Sequence, residues 1–323
     1  MAARPRWRDW PAYLAARAGL LAMRRLPLPW AAALGSAVMA AVARLIPSRR
    51  RLAEKQVRFA LGASAEEAGR IVRKTYRHIG AMVAEIARAG ELRPETLERH
   101  IDFRDTVAVC RSLLAEGRGL LILTGHLGNW ELGSLAARGF GVDSATVARP
   151  LDNPLLNRLV NGWRETLGMR VHGKGGAMRP ALRQLRKGGM FSFLVDQDAG
   201  PRGVFVPLFG RTASTMPEAA ELAMRTGAPI LVQAMFRDGD RPMRFVFRRG
   251  EPIRPCVGAA DPQAEILRIL THVHRDLEML IRAAPEQWFW LHRRWKTRPP
   301  GEAEAETETS DMPARKARKR PIP

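Results

Sequence analysis

The sequence predicts an α/β fold, a mostly parallel or mixed central sheet flanked by helices, preceded by an apolar N-terminal helical segment. Three observations carry that expectation. Short, wholly apolar runs of strand length recur from Leu120 onward and stop at Gly, Arg-Pro or Asp. Segments with apolar residues at helical spacing alternate with them. One uncharged apolar stretch, the fourteen residues Trp30–Ala43, stands near the N-terminus between basic flanks.

The elements follow in order. A bilayer-spanning helix needs about 20 residues, and stretching the first apolar run to Leu26–Ile46 takes in Pro27, Pro29 and Arg44. Residues 1–75 hold fifteen Lys or Arg against four Asp or Glu, a net +11 in under a quarter of the chain. Basic groups on both sides of an apolar helix suit the cytoplasmic face of an anionic membrane. Residues 1–60 are therefore expected to be a membrane-associating segment; the alternative is a buried core helix with solvated flanks. The run starts late and lacks a clear small-x-small site, so cleavage as a signal peptide is not expected.

Residues 61–298 read as one domain. In 66–90, Val72, Tyr76, Ile79, Val83 and Ile86 recur at helical spacing. Leu120–Leu123, Ser144–Ala148, Met190–Val195, Pro229–Phe236 and Met243–Phe247 read as strands, the last two as a possible hairpin around RDGDRP. Helices are expected at roughly 105–116, 129–139, 153–168, 178–187, 216–226 and 262–284. The tail from 299 to 323 is acidic, then basic, with almost no bulky apolar residue. It cannot bury enough surface to offset its ordering entropy and is expected to be disordered.

Composition sets bounds on function. Of 323 residues, 46% are hydrophobic and 26% charged, which excludes collagen-like or wholly disordered chains. Cys110 and Cys256 are the only cysteines, which rules out a disulfide-stapled scaffold or a Cys-based metal cage and fits a reducing compartment. The net charge of +21 calls for an anionic partner. No helix-turn-helix, RNP-like aromatic block or zinc spacing appears, so nucleic acid is not the expected one. No metal is expected either, since the seven histidines are scattered and His272 and His274 do not face each other on a helix.

The chemistry concentrates in Thr124–Gly133, TGHLGNWELG. A buried strand runs into Gly125 and His126, and sites in open α/β sheets form beyond the carboxyl ends of strands. On one helix His126 and Glu131 would point about 140° apart. They converge only if His126 lies on the turn and Glu131 on the first helical turn, with Asn129 as N-cap. A carboxylate on one imidazole nitrogen fixes the tautomer and makes the other a better base. No Ser or Cys nucleophile sits in the motif, so the attacking hydroxyl could come from the substrate. The bland alternative is a His and a Glu at a capped helix start.

GHLGNWE resembles the catalytic block of the lipid A biosynthesis late acyltransferases, the lauroyl/myristoyl transferases among the His-x4-Asp/Glu glycerolipid acyltransferases. VARPLDNPLLNRLVNGWRETLG resembles the family's second block, with Arg149 and Arg164 at its basic positions. FLVDQDAGPRGVFVPLFGRTASTMPEAAELAMRTGAPI, with Asp196 and Gln197, resembles the third. PEQWFWLHRRWKTRP resembles the closing signature, and the likeness spans about residues 10–299.

The resemblance implies transfer of a fatty acyl group from an acyl carrier protein thioester to a hydroxyl of a lipid A precursor, with no cofactor, on the cytoplasmic face of the inner membrane. It makes His126 the general base and Glu131 its orienter. Arg164 and Asp196 fall at active-site positions. The partners it implies are the acyl carrier protein donor, a phosphorylated glycolipid acceptor and an anionic membrane. Arg149, Arg164, Arg202 and Arg211 are candidates to meet acceptor phosphates, and a surface charge is the alternative for each. Backbone N–H groups near Gly125–Asn129 are candidate oxyanion donors. Met169, Met178, Phe191, Phe193, Phe205 and Phe209 could wall an acyl channel or pack the core. Trp288, Phe289, Trp290 and Trp295 suit either a membrane interface or a core. The competing functions are an acyltransferase of another glycolipid or phospholipid using acyl-CoA, and a basic nucleic-acid-binding protein.

Overall fold

The computed structural model describes residues 5–133, 141–173, 176–239 and 241–299. Four helices open the chain: α1 (Trp10–Arg25), α2 (Leu28–Leu45), α3 (Pro47–Leu61) and α4 (Ala65–Ala87). Pro11, Pro29 and Pro47 stand in the first turns of α1, α2 and α3, where a missing N–H costs nothing. A capping box starts α4. The Ser64 hydroxyl accepts from the Glu67 N–H, and the Glu67 carboxylate accepts from the Ser64 N–H.

The α2 helix is apolar on two faces. Ala31, Ala32, Gly35 and Ala43 are buried, while Trp30, Leu34, Val38 and Leu45 are exposed. Its backbone touches α4 directly. A Cβ on Gly35 would lie 2.3 Å from the Gly80 carbonyl oxygen, and one on Gly80 would lie 2.2 Å from that of Gly35. No other residue fits at either position. The α3 helix places Ala53, Val57 and Ala60 in the main core beside Val72 and Tyr76 of α4. Gln56 donates to the carbonyls of Trp290 and His292. The second half of the 1–60 segment is thus built into the body.

The chain continues through α5 (Leu97–His100), β1 (Ile101–Asp102), α6 (Arg104–Ala115), β2 (Leu120–Thr124), β3 (Ser144–Ala148), α7 (Pro154–Thr166), β4 (Arg170–Gly173), α8 (Met178–Arg186) and β5 (Met190–Leu194). A separate hairpin, β6 (Val204–Leu208) with β7 (Arg211–Thr215), precedes α9 (Glu218–Thr226), β8 (Ile230–Arg237), β9 (Phe245–Arg249) and α10 (Pro262–Ala283). Seven strands form one sheet in the order β1-β9-β8-β2-β5-β3-β4. Every pairing in it is parallel except β8 with β9, so the sheet is mixed and the expected last hairpin is present.

Burial on both faces explains the continuous apolar strands. Leu121 and Leu123 of β2 enter the main core, whereas Leu120 and Ile122 enter a second one beneath α6. The hairpin β6–β7 and the short strands β1 and β4 were not evident in the sequence. RVHG is too polar for an apolar run, and Pro207 interrupts VFVPL. Asn129–Gly133 forms a turn, and the rest of the expected helix at 129–139 lies outside the described residues, as does the tail after Pro299. The tryptophans resolve toward packing: Trp288, Trp290 and Trp295 are buried, with Trp288 edge-on to Trp290.

Candidate active site

The sheet register builds the site. β2 and β5 are parallel neighbours with Thr124 opposite Leu194. Two residues beyond these strand ends stand His126 and Asp196, so equal offsets bring the two side chains together. The Asp196 carboxylate accepts three hydrogen bonds. His126 Nδ1 donates to Oδ1 at 2.8 Å, the His126 backbone N–H to Oδ2 at 2.7 Å, and Trp288 Nε1 to Oδ2 at 2.8 Å. Gly125 makes room for this contact, since a Cβ there would lie 2.9 Å from Oδ2.

This geometry fixes the tautomer. With the proton on Nδ1, Nε2 carries the lone pair and faces a cavity of about 680 Å³. The ring clusters with Trp130 and Phe289, at centroid distances of 5.1 and 6.1 Å, and those two rings also touch each other at 6.4 Å. Burial by itself would lower the His126 pKa. The charge and hydrogen bond of Asp196, with Glu131 behind them, outweigh burial and raise it above the ordinary histidine value. Burial would likewise raise Asp196, but the bonds from His126 and Trp288 prevail and hold it at about 2.

The expected His126–Glu131 hydrogen bond is absent. Glu131 instead binds Arg164 in a bidentate pair, with Nε to Oε2 at 2.8 Å and Nη2 to Oε1 at 2.5 Å. The guanidinium fork matches a carboxylate better than a ring nitrogen does, and Asp196 already holds Nδ1. Asp196, expected among the substrate-binding residues, is 4% exposed, lies beneath the histidine and does not line the cavity. Both members of the Glu131–Arg164 pair line the cavity, as does Arg149 at its rim. Arg149 is exposed and stands 4.0 Å from Asp152.

Arg202 and Arg211 do not line the cavity. Arg202 lies on the exposed turn before β6, and Arg211 stacks its guanidinium over Phe59. Met169, Met178 and Phe193 do line it. Phe191 and Phe209 belong to the core, and Phe205 lies on β6, outside the lining. Among the described residues, no three His, Cys, Asp or Glu side chains gather as a metal site would require.

A buried polar network supports the turn from below, and sequence reading missed it. Glu85 of α4, fully buried, pairs bidentately with Arg237 of β8 at 2.6 and 2.8 Å. Glu85 Oε2 also accepts from Asn129 Nδ2 at 2.9 Å. Asn129 Oδ1 in turn accepts from the Leu132 N–H at 3.3 Å, the cap-type bond expected of it. His78 donates from Nε2 to the Gly128 carbonyl at 3.1 Å and accepts from Arg237 at Nδ1. Burial and the neighbouring Arg237 push its pKa down to about 3, so it is neutral. Gly128 has φ +63°, and a Cβ there would collide with the Met235 carbonyl. Charged residues at helical spacing on α4 are the sequence trace of this network, but nothing local marks them as buried.

A strand-end histidine held by a buried aspartate, facing a largely apolar cavity with an arginine–glutamate pair, has the geometry of a base that can take a proton from a hydroxyl. The model of the bacterial lipid A biosynthesis acyltransferases matches residues 5–297 of this chain. The chain belongs to that family. Among its relatives, the acyltransferase is 28% identical to a lipid A biosynthesis lauroyltransferase of Escherichia coli over 286 residues, covering 86% of this chain and 89% of the relative. It is 27% identical to the palmitoleoyltransferase of the same organism over 292 residues, with the same coverage. It is 25% identical to the E. coli myristoyltransferase over 223 residues, 69% of this chain and 66% of that one.

The acyltransferase's ion pair biases its histidine in opposite directions, Glu131 raising the His126 pKa and Arg164 lowering it. Glu131→Gln is therefore expected to move the acidic limb of the kcat profile to lower pH, and Arg164→Ala to higher pH. Rate–pH profiles of the two purified variants check this; shifts in the same direction would contradict the charge assignment.

Proposed function

We propose that this acyltransferase moves a fatty acyl group from an acyl carrier protein thioester to a hydroxyl of a lipid A precursor. The observation that carries the reading is the Nε2 lone pair of His126, fixed by Asp196 and turned into the 680 Å³ cavity. His126 takes the proton of the acceptor hydroxyl as its oxygen attacks the thioester carbonyl. The tetrahedral oxyanion collapses, the C–S bond breaks, and the thiolate leaves with the proton from His126. Asp196 supports the imidazolium in between. Glu131 works on the histidine through its charge and holds Arg164 at the cavity wall. Arg149 at the rim is free to reach an acceptor phosphate beyond its distant contact with Asp152. Met169, Met178 and Phe193 give the acyl chain an apolar wall.

The test is mass spectrometry of a phosphorylated lipid A precursor incubated with the purified protein and acyl carrier protein thioester. A gain of one acyl group supports the reading. Parallel arms with acyl-CoA and with a mannosylated phosphoinositide identify another donor or acceptor, and a gain confined to those arms overturns it.

We also infer that the N-terminal helices seat the enzyme on the cytoplasmic face of the inner membrane. Among the described residues, nine of the fourteen exposed large apolar side chains lie between positions 7 and 46. Leu28–Leu45 is by length and composition able to cross a bilayer, with a mean hydropathy of 1.5. Trp7, Trp10 and Trp30 are exposed beside Arg6, Arg8, Arg24 and Arg25, a mixture that suits an anionic headgroup layer. The α1 segment also meets the cavity rim. Asn153, which caps α7, donates to the Asp9 carbonyl at 2.8 Å.

Because α3 is part of the core, the test uses substitutions on the outward face of α2. Leu34→Glu with Val38→Glu is expected to shift the protein from vesicles of anionic phospholipid to the supernatant on sedimentation. The α2–α4 contact should stay intact, as read by an unchanged unfolding temperature. Full retention on vesicles by the folded double variant would place the membrane contact elsewhere.

A further inference from the structure

The reaction proposed above needs a hydrogen-bond donor for the oxyanion, and the turn that carries His126 has few left to give. The His126 N–H is donated to Asp196, the Gly128 N–H to the Gln287 carbonyl, and the Asn129 N–H to the Met235 carbonyl. Two donors of Arg164 are engaged by Glu131. Three of the five backbone N–H groups from Gly125 to Asn129 are thus already engaged.

One side-chain amide occupies the right place. Gln197 Nε2 lies 3.4 Å from His126 Nε2, and Gln197 lines the same cavity. With the histidine proton on Nδ1, the group facing the Nε2 lone pair is the NH₂, so its N–H bonds point to where the reactants meet. An acceptor hydroxyl entering between the two would replace this long contact. The oxyanion forms one carbon away from that hydroxyl oxygen, beside the same edge of the ring.

The backbone at Gln197 is held on both sides. Asp196 is fixed by its three donors. Asp198 accepts from the Thr297 N–H at 3.2 Å and from the Thr297 hydroxyl at 2.9 Å. A donor on a segment pinned at both neighbours needs little reorganisation as charge develops, which is what makes such donors effective.

We propose that Gln197 is a catalytic residue whose side-chain amide donates to the oxyanion of the tetrahedral intermediate. This rests on the acyl transfer proposed above. As the thioester C=O π electrons move onto oxygen, the Gln197 N–H bonds to it; when the C–S bond breaks the carbonyl reforms and the bond weakens. Nothing is consumed at Gln197.

The test compares Gln197→Ala and Gln197→Glu with wild type and His126→Ala in steady-state acyl transfer. Gln197 is exposed, so neither substitution removes core packing. Loss of a single oxyanion donor costs about 10²–10³-fold in kcat. Both variants are expected to lose kcat on that scale with KM for thioester and acceptor little changed, and the carboxylate of Gln197→Glu, lacking a donor, should not rescue. A purely structural or binding role would move KM or the unfolding temperature instead. Variants within about threefold of wild-type kcat, with His126→Ala inactive, would overturn the role of Gln197 and leave the acyl-transfer reading standing. A wild-type protein that transfers no acyl group from thioester to lipid hydroxyl would overturn both.

Discussion

His126→Ala is expected to lower kcat for acyl transfer by about 10²–10⁴-fold, the usual worth of a general base. A lipid hydroxyl is a poor nucleophile at neutral pH, and no described side chain other than His126 presents a tautomer-fixed ring nitrogen to the cavity. The variant should still fold, with an unfolding temperature lowered by the loss of one of the three donors to buried Asp196, because the backbone N–H of residue 126 and Trp288 Nε1 still hold the carboxylate. Steady-state assays beside a melting curve check both parts. Turnover near wild type in the folded variant would remove His126 from the chemistry.

Asp196→Asn is expected to approach that loss while leaving the histidine in place. The carboxylate accepts from three N–H groups at once. An amide has one acceptor oxygen and an NH₂ that would face a donor, so at least one N–H is left without a partner and the Nδ1–H tautomer loses its support. Removing the orienting carboxylate from a histidine base elsewhere costs up to about 10⁴-fold.

A pH signature follows. The His126 pKa, raised above 6.5 in the wild type, falls in the variant, so the acidic limb of the residual activity should move to lower pH. Stability responds with opposite signs at the two groups. Asp196, depressed from 3.8 to about 2, contributes stability above 3.8 that is lost as pH falls toward 2. His126, with its raised pKa, contributes stability below 6.5 that is lost as pH rises through its folded value. The pair therefore stabilises the fold most between about pH 4 and 6.5, where the base is protonated and the enzyme is slow. Melting curves of wild type and Asp196→Asn across pH 3–9 should differ most in that window.

The fold was legible because its strands announce themselves. LLIL, SATVA, MFSFLV and PILVQAMF are apolar enough to be read without context, and the helices expected at 153–168, 178–187 and 216–226 stand between them, whereas Asn129–Gly133, the start of the helix expected at 129–139, is a turn. What stayed hidden was whatever depends on partners distant in sequence. The His-x4-Glu spacing suggested a local pair, yet the actual partner of His126 comes seventy residues later, through the β2–β5 register. A sequence could have shown it only to a reader who aligned the two strand ends and counted two residues past each. Arg202 and Arg211 carried the same charge as Arg164 and also fell within a block resembling the family's, but of the three only Arg164 sits on a helix that faces the cavity. The Glu85–Arg237–His78 network left only the helical spacing of His78 and Glu85 on α4, with nothing to mark them as buried, because burial of a charge is decided by tertiary packing and not by its neighbours in the chain.

The touching glycines at positions 35 and 80 carry a mechanical consequence. Two residues before Gly80 is His78, which holds the Gly128 carbonyl; five after it is Glu85, which holds Asn129. Gly35 belongs to the one described helix apolar enough to cross a bilayer. An unbroken train of rigid parts therefore joins that helix to the turn that aims His126: backbone against backbone, then α4 as a shaft, then two buried side chains gripping the turn. The reacting nitrogen cannot rise or sink relative to α2 without breaking this train. On the membrane seating proposed above, the height of the His126 ring relative to the lipid layer is thus cut into the protein, as the depth of a plane's blade is set by its bed.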